Sequence, residues 1–262
     1  MKWIGYLAEG KYGFGQLAGD VIEVFEGDLF ARPVATGRAI ELASVRTTIP
    51  CRPSKMIGLW NNSRSLAASQ GLPEPTEPLY FVKPPNCYAA HEDEISLPIL
   101  GVGRIVYEAE LGIVIGKRCR DVSIDDAAAA IFGYTCVNDL TALSLMQAEA
   151  GFAHWCRAKG LDGFGPFGPV IETDLNPGDL SICARVNGRE RQRYSTTDLI
   201  LGPHQIVSLM SRGMTLEAGD VIACGTSSGV GPVPKTGAVE VEIDGIGVLR
   251  THFRSSELVE AA

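Results

Sequence analysis

Short apolar runs separated by turn-forming residues dominate the chain. Most runs are rich in Val, Ile and aromatic residues and are bounded by Gly, Pro or Asn-Gly, which is typical of β-strands. The strands predicted in this way cover residues 3–7, 20–25, 55–60, 79–83, 104–117, 128–137, 180–186, 221–225, 239–243 and 247–253. The pattern therefore predicts a protein built mainly from strands.

Helix signals are fewer. Asn61-Asn62-Ser63 is a typical helix N-cap and Gly71 a typical helix end, which predicts a helix over residues 64–70. Further helices are predicted over residues 39–45, 126–131, 142–150 and 203–210. The proline-rich segment 73–78 is a predicted loop and a candidate mobile lid. Together these elements favour an α+β, β-rich fold.

Composition agrees with a globular protein that contains many turns. The 262 residues are 45% hydrophobic and 21% charged, and they include 30 glycines and 15 prolines. Pro50-Cys51-Arg52-Pro53 is a natural boundary between elements. We therefore predict a small N-terminal β domain over residues 1–52 and a main domain over residues 53–262.

Charge and cysteine content exclude several classes of partner. The net charge of −8 argues against nucleic acid, and no apolar stretch reaches the ~20 residues that cross a bilayer. The start of the chain lacks the pattern of a signal peptide. Seven cysteines without a Cys-x-x-Cys pair indicate buried free thiols, with Cys156 the best placed if one were catalytic. The expected location is cytoplasmic.

Three acidic residues stand out against their apolar surroundings. Glu108 and Glu110 lie two apart in the predicted strand 104–117, so their side chains should share one face. Asp139 follows the next apolar run. Two interpretations are open: three solvated acids at strand ends, or a site for one hard cation. Oxygen ligands without His or Cys favour Mg²⁺ or Mn²⁺ over Zn²⁺.

Two further positions are candidates for a binding site. Lys159 comes directly before the glycine-rich segment 160–166, so its side chain either points into a cleft or is a solvated surface group. The Gly/Ser loop 226–232 follows a predicted strand. Its backbone N–H groups and hydroxyls are suited to a carboxylate or a phosphate.

Taken together, several stretches resemble the fumarylacetoacetate hydrolase family. They occur in the family's order, within residues 53–253, and comprise residues 78–85, 107–117, 133–139, 157–159, 196–198 and 216–226. Each stretch is weakly specific, whereas the ordered set is highly specific. The first fifty residues resemble the smaller, variable domain of bacterial members.

The resemblance implies a mixed β-roll or sandwich with a metal site at the mouth of a cleft. It implies Mg²⁺, or Mn²⁺ or Ca²⁺, bound by Glu108, Glu110 and Asp139, and a 2-oxo acid substrate. Lys159 would stabilise enolate charge, and Thr226 would hydrogen-bond the substrate carboxylate. Family members hydrolyse acylpyruvates, decarboxylate oxaloacetate or isomerise products of aromatic ring cleavage. A homodimer is also implied.

The sequence departs from the family pattern at two places. Where hydrolytic members carry a His–Glu pair that activates water, this chain has Arg64 and Ala67. Arginine cannot act as a base at neutral pH. A family arginine after the third ligand is replaced by Leu143. We therefore expect Arg64 to bind a distal substrate group, unless it faces solvent, and Leu143 to form an apolar wall.

These observations leave more than one function open. The first is a divalent-metal-dependent enzyme that acts on a 2-oxo or 2-hydroxy-dienoic acid in aromatic-compound catabolism. Hydrolysis of a C–C bond, decarboxylation and keto–enol isomerisation all remain open, and hydrolysis would need a base such as His91. The second is a catalytically weak relative that binds a small carboxylate or serves as a partner subunit.

Overall fold

The computed structural model describes residues 1–98 and 103–255, and strands predominate in this part of the chain. The strands are β1 Lys2–Ala8, β2 Lys11–Ala18, β3 Val21–Glu26, β4 Val34–Glu41, β5 Arg46–Thr48, β6 Met56–Trp60, β7 Leu79–Lys83, β8 Tyr88–Ala89, β9 Glu94–Leu97, β10 Ile105–Tyr107, β11 Ala109–Ile115, β12 Ile131–Asn138, β13 Thr141–Ala142, β14 Gly165–Glu172, β15 Ser181–Val186, β16 Arg189–Ser195, β17 Val221–Ala223, β18 Gly231–Pro232, β19 Thr236–Ile243 and β20 Gly247–Ser255. The predicted β-rich α+β fold is confirmed.

The helices are short. They are α1 Arg64–Gln70, α2 Ile124–Ala130, α3 Leu143–Met146, α4 Trp155–Lys159 and α5 Pro203–Met210, with 3₁₀ turns at Leu42–Ser44, Pro85–Cys87 and Thr196–Asp198. In α1 the Ser63 hydroxyl accepts from the backbone N–H of Leu66, and Gly71 ends the helix with a φ of 65°. None of the helices in the described ranges combines the length and apolar character that crossing a membrane requires.

Three sheets form the scaffold. The largest runs β4-β3-β2-β1-β14-β12-β11-β17-β6-β7, with β5 paired to β1 and β8 paired to β14; the smaller sheets run β16-β15-β19-β20-β9 and β13-β10-β18. Strands β11 and β12 of the first sheet pack against β15, β19 and β20 of the second. Leu111, Ile113 and Val241 are fully buried in this sandwich. Because β1 pairs with β14, the N-terminal strands extend the main sheet.

Two predicted helices are wrong in extent. Ala39 belongs to β4, where it pairs with Glu23, so only a 3₁₀ turn remains of the predicted helix 39–45. In the predicted helix 142–150, Ala142 lies in β13 and pairs with Ile105 of β10, so the helix begins at Leu143. It ends at Met146. In both cases pairing with another strand overrides the local helix propensity.

The predicted strand 104–117 is interrupted at Glu108. Its first part, β10, belongs to the three-stranded sheet, whereas β11 belongs to the large sheet. At the break the Glu108 N–H donates to Asn138 Oδ1, and the Glu108 carbonyl accepts from the Asp139 N–H at 2.9 Å. The chain therefore changes sheet at a candidate ligand.

Candidate active site

Sheet register brings the three acidic side chains together. Strands β11 and β12 are antiparallel with Ala109 opposite Asn138, so Glu108 and Glu110 flank the end of β12 where Asp139 follows. Each of the three residues contributes a carboxylate oxygen that lies within 4.8 Å of the others. Within the described ranges, no His or Cys belongs to this cluster. The structure thus assembles the predicted ligand set.

Two buried lysines face the carboxylates. Lys159, at the end of α4, donates to Glu108 Oε2 at 2.8 Å and to Asp139 Oδ2 at 2.5 Å. Lys83, at the end of β7, donates to Asp139 Oδ1 at 2.5 Å. Lys159 is 2% exposed, so the structure contradicts its reading as a solvated surface group. Sequence reasoning missed Lys83, although a lysine that ends an apolar strand before Pro84-Pro85 was a usable signal.

Burial and mutual charge set the protonation of the cluster. Burial raises the pKa of Glu110 well above its usual value, and the negative charges of Asp139 and Glu108 add to the effect. Burial also raises the pKa of Glu108, although Lys159 opposes the shift. At Asp139 burial acts in the same direction, but Lys159 and Lys83 outweigh it and lower the pKa.

The lysines respond differently to the same cluster. Burial disfavours the ammonium of Lys159, yet Asp139 and Glu108 outweigh burial, and the pKa of Lys159 is raised. At Lys83 burial dominates over the attraction of Asp139, and the pKa is lowered. The carboxylates therefore favour the ammonium form of Lys159, whereas burial disfavours that of Lys83.

The cluster fits a divalent cation. Glu110 Oε1 is buried without a hydrogen-bond partner, while Glu110 Oε2 accepts from the Gly225 N–H at 2.7 Å. Gly225 adopts a φ of 91°, which favours glycine. Three carboxylates face two ammonium groups, so negative charge is in excess at the orphaned oxygen. Hard oxygen ligands of this kind suit Mg²⁺, Mn²⁺ or Ca²⁺.

A cavity of about 420 Å³ opens beside the carboxylates. Glu108, Thr141, Lys159 and Thr226 contribute its polar side, and Leu143 contributes to its apolar side. The aromatic residues along it are Phe81, Trp155 and Trp60. The cavity therefore joins a charged base to an aromatic wall, as an active site that holds a small acid requires.

Thr226 is held by its neighbours. Its hydroxyl donates to the Ala109 carbonyl at 3.1 Å and accepts from Gln192 Nε2 at 2.7 Å. The hydroxyl proton is engaged, so the predicted hydrogen bond to a substrate carboxylate requires the hydroxyl to rotate. Sequence reasoning missed Gln192, which is 2% exposed and is the single uncharged residue within 189–193.

Arg64 lies away from the cavity. Its guanidinium donates to the carbonyl oxygens of Thr197, Leu199 and Ile200, and it is absent from the described lining residues. This placement argues against the predicted contact with substrate, because the side chain ties α1 to residues 197–200. Helix α1 instead contributes Leu66 and Gln70 to the lining.

His91 does not supply the missing base. It lines a separate cavity with Ile4 and Val45, and its Nδ1 accepts from the Arg250 N–H at 3.0 Å. All seven cysteines are free, and Cys156 is the exposed one. Neither His91 nor Cys156 is among the described residues that line the carboxylate cavity.

The fold agrees with comparisons to known proteins. The fumarylacetoacetate hydrolase C-terminal family matches residues 55–254, and the Rv2993c-like N-terminal family matches residues 1–49. The solved structure of a 5-carboxymethyl-2-hydroxymuconate delta-isomerase from Mycobacterium smegmatis superposes with a TM-score of 0.89 at 34% identity, covering 98% of this chain and 100% of that chain.

Two other relatives have informative descriptions. Oxaloacetate tautomerase YisK of Bacillus subtilis is 37% identical over 222 residues, which is 79% of this chain and 73% of that protein. A maleylpyruvate hydrolase from Sphingobium sp. SYK-6, solved with manganese(II) and pyruvate, has a TM-score of 0.78 at 26% identity, covering 98% of this chain and 100% of that chain. The chain belongs to the fumarylacetoacetate hydrolase family.

Proposed function

We propose that this protein is a divalent-metal-dependent isomerase that interconverts the keto and enol forms of a 2-oxo acid. The observation that carries the proposal is which ionisable side chains line the cavity. Among its described lining residues, Glu108 and Lys159 are the ionisable ones. Proton transfer therefore falls to these two groups or to water. The setting in aromatic-compound catabolism stays a prediction.

The ligand set supports the metal dependence. Glu108, Glu110 and Asp139 would hold the cation, with Glu110 Oε1 as the oxygen that now lacks a partner. When bound, Mg²⁺ or Mn²⁺ supplies a Lewis acid for the 2-oxo oxygen and offsets part of the carboxylate charge. The substrate's own carboxylate would lie beside Thr141 and Thr226 at the polar side of the cavity.

Lys159 would move the proton. In the enol-to-keto direction its ammonium gives a proton to C3, and the proton released from the enol hydroxyl returns to the amine. One C–H bond forms and one O–H bond breaks, so the step needs no co-reactant. Glu108 and Asp139 hold the Lys159 Nζ in place during the exchange.

The absence of a water-activating pair disfavours hydrolysis. Arg64 is bound to backbone carbonyls, and Ala67 is buried at 1% exposure. Of the described side chains that line the cavity, none is a histidine. Hydrolysis of a C–C bond needs a positioned base for water, whereas enolisation needs only stabilised enolate charge and a proton carrier.

The proposal predicts metal-dependent turnover without bond cleavage. Enol decay of oxaloacetate, followed by absorbance, should accelerate with the protein and Mg²⁺ and return to the protein-free rate with EDTA, and acetylpyruvate should release no pyruvate. Lys159→Met should lower kcat by about 10²–10³-fold, whereas Lys235→Met at an exposed position should not. Pyruvate release from acetylpyruvate, or a fully active Lys159→Met variant, would overturn the assignment.

A further inference from the structure

We infer that the cavity selects a 2-oxo acid with a single carboxylate and an uncharged, aromatic or apolar tail. The inference rests on the proposed function only in placing the 2-oxo carboxylate end of the substrate at Glu108 and Lys159. The rest follows from the walls of the cavity. It separates this chain from a tautomerase for oxaloacetate, whose substrate carries a second carboxylate.

The charge of the lining excludes a second carboxylate. Lys159 is the one cation among the described lining residues, and Glu108 and Asp139 already engage its ammonium. A second substrate carboxylate would enter the cavity without a cationic partner, because the loop 226–230 offers it only hydroxyl and backbone N–H groups. Desolvation of an unpaired carboxylate is strongly unfavourable.

Two positions at which a cation was expected supply none to the described lining of the cavity. The Arg64 guanidinium donates hydrogen bonds to the carbonyls of Thr197, Leu199 and Ile200. Leu143, which follows the third acidic residue by four positions, is an uncharged residue of the cavity lining. Residues 99–102 and 256–262, outside the described ranges, contain no Lys, Arg or His in the sequence.

The aromatic wall defines what the tail contacts instead. Lys159 Nζ lies 4.5 Å from the centroid of the Phe81 ring, which stacks on Trp155 at 5.3 Å and 7°. Trp155 meets Trp60 edge-on at 5.9 Å. Exposure rises along this series from 2% at Lys159 to 6% at Phe81 and 41% at Trp60. The wall therefore leads from the charged base of the cavity to its mouth.

The remaining lining suits a neutral, ring-sized group. Leu66, Leu143 and Met146 add apolar surface around the aromatic wall. Gln70 and Gln147, both exposed, contribute neutral amides to the lining. Apolar contact and π-surface stabilise an aromatic tail, and the amides accept a neutral polar substituent but cannot neutralise a carboxylate.

Two enols of matched chemistry test the inference: phenylpyruvate, with a ring, and oxaloacetate, with a second carboxylate. The wild-type protein with Mg²⁺ should show a kcat/KM for phenylpyruvate at least about tenfold above that for oxaloacetate. Leu143→Arg should narrow or invert this ratio because it supplies the missing cation, whereas Val34→Arg, which adds an arginine at an exposed position of β4 outside the cavity, should not. Gln147→Arg, at an exposed position, serves the same purpose if Leu143→Arg fails to fold.

The outcomes separate the inference from the proposed function. An equal rate, or a preference for oxaloacetate, overturns the inference and leaves the tautomerase assignment intact. If neither enol is turned over, the tautomerase assignment fails. Calorimetric titration with 3-phenyllactate and malate then decides the inference on its own: tighter binding of 3-phenyllactate supports it, and equal or tighter binding of malate overturns it.

Discussion

At the scale of single residues, Glu110 is the most informative position of the acidic cluster. Glu110 is 1% exposed, and one of its carboxylate oxygens lacks a hydrogen-bond partner. Burial of this carboxylate is therefore unfavourable without a bound cation, and a cation at the free oxygen would offset that cost. Glu110→Gln should lower the affinity for Mg²⁺ by at least about 10–100-fold. A loss of that size is typical when a residue that only hydrogen-bonds to a metal ligand is replaced, and Glu110 is itself a proposed ligand. Calorimetric titration measures this.

The same substitution should have the opposite effect on the metal-free fold. It removes a buried carboxyl group whose ionised form burial and two neighbouring carboxylates disfavour, so the thermal midpoint of the metal-free protein should stay equal or rise. Glu94→Gln, at an exposed position, is the matched control. Unchanged Mg²⁺ affinity in Glu110→Gln would contradict the role of Glu110 as a ligand.

At the scale of elements, Asp198 fixes helix α1 against the loop after β17. Its carboxylate accepts from the Ser65 N–H at 3.0 Å, the Ser65 hydroxyl at 2.8 Å and the Ser227 hydroxyl at 3.0 Å, and it also accepts from the Ser63 hydroxyl. Burial raises the pKa of Asp198, but these donors outweigh burial and lower it. Helix α1 brings Leu66 to the cavity, so Asp198 holds one cavity wall in place.

Asp198→Asn should therefore destabilise the protein by about 1.5–3 kcal/mol at neutral pH, the range for hydrogen bonds to a charged group. Because the folded pKa lies below the ordinary 3.8, this stabilisation is present above pH 3.8 and is lost as the pH falls through the folded pKa. Urea unfolding of both proteins at several pH values measures it. A constant difference at all pH values would show that charge is not the cause, and exposed Asp174→Asn is the control.

Elements defined by local signals could be predicted from the sequence. Ser63 and Gly71 enclose α1, whose bounds were predicted correctly, and Pro203 begins α5 in the same way. The pair Glu108 and Glu110 could also be recognised, because two carboxylates interrupt the otherwise apolar pattern of the predicted strand 104–117. In contrast, the start of α3 depends on Ala142 pairing with Ile105, which is distant in sequence.

The parts of the site that depend on long-range contacts could not be predicted. Lys83 meets Asp139 across 56 positions of sequence, and Gln192 meets Thr226 across 34. Neither residue has a local pattern that indicates its partner. For Arg64 a role was predicted, from its position in the family pattern, but the prediction could not include its actual partners. These are carbonyls of residues 197–200, which belong to a different element.

At the scale of the whole molecule, the homodimer implied by the family resemblance stays a prediction. Strand β7 pairs only with β6 among the described strands, so it is an edge of the large sheet. Tyr80 and Val82 on β7 are 50% and 38% exposed, and Trp60 on β6 is 41% exposed. An exposed apolar edge strand is a surface that a second copy can cover.

Light scattering at micromolar concentration should give twice the chain mass of 28.0 kDa. Tyr80→Glu places a charge on the apolar edge and should shift the protein towards the monomer, whereas Glu23→Gln, at an exposed position of strand β3, should not. A monomer mass for the wild-type protein would contradict the homodimer.

The central claim is that this site moves a proton at C3 of a 2-oxo acid without breaking a carbon bond. Proton NMR of phenylpyruvate in D₂O with the protein and Mg²⁺ tests it most directly, because enolisation replaces C3 protons by deuterium and leaves the carbon skeleton intact. The expected result is C3 exchange well above the protein-free rate, lost with EDTA and in Lys159→Met, with no new product signals. Exchange at the protein-free rate with both phenylpyruvate and oxaloacetate, or the appearance of cleavage or decarboxylation products, would contradict the claim.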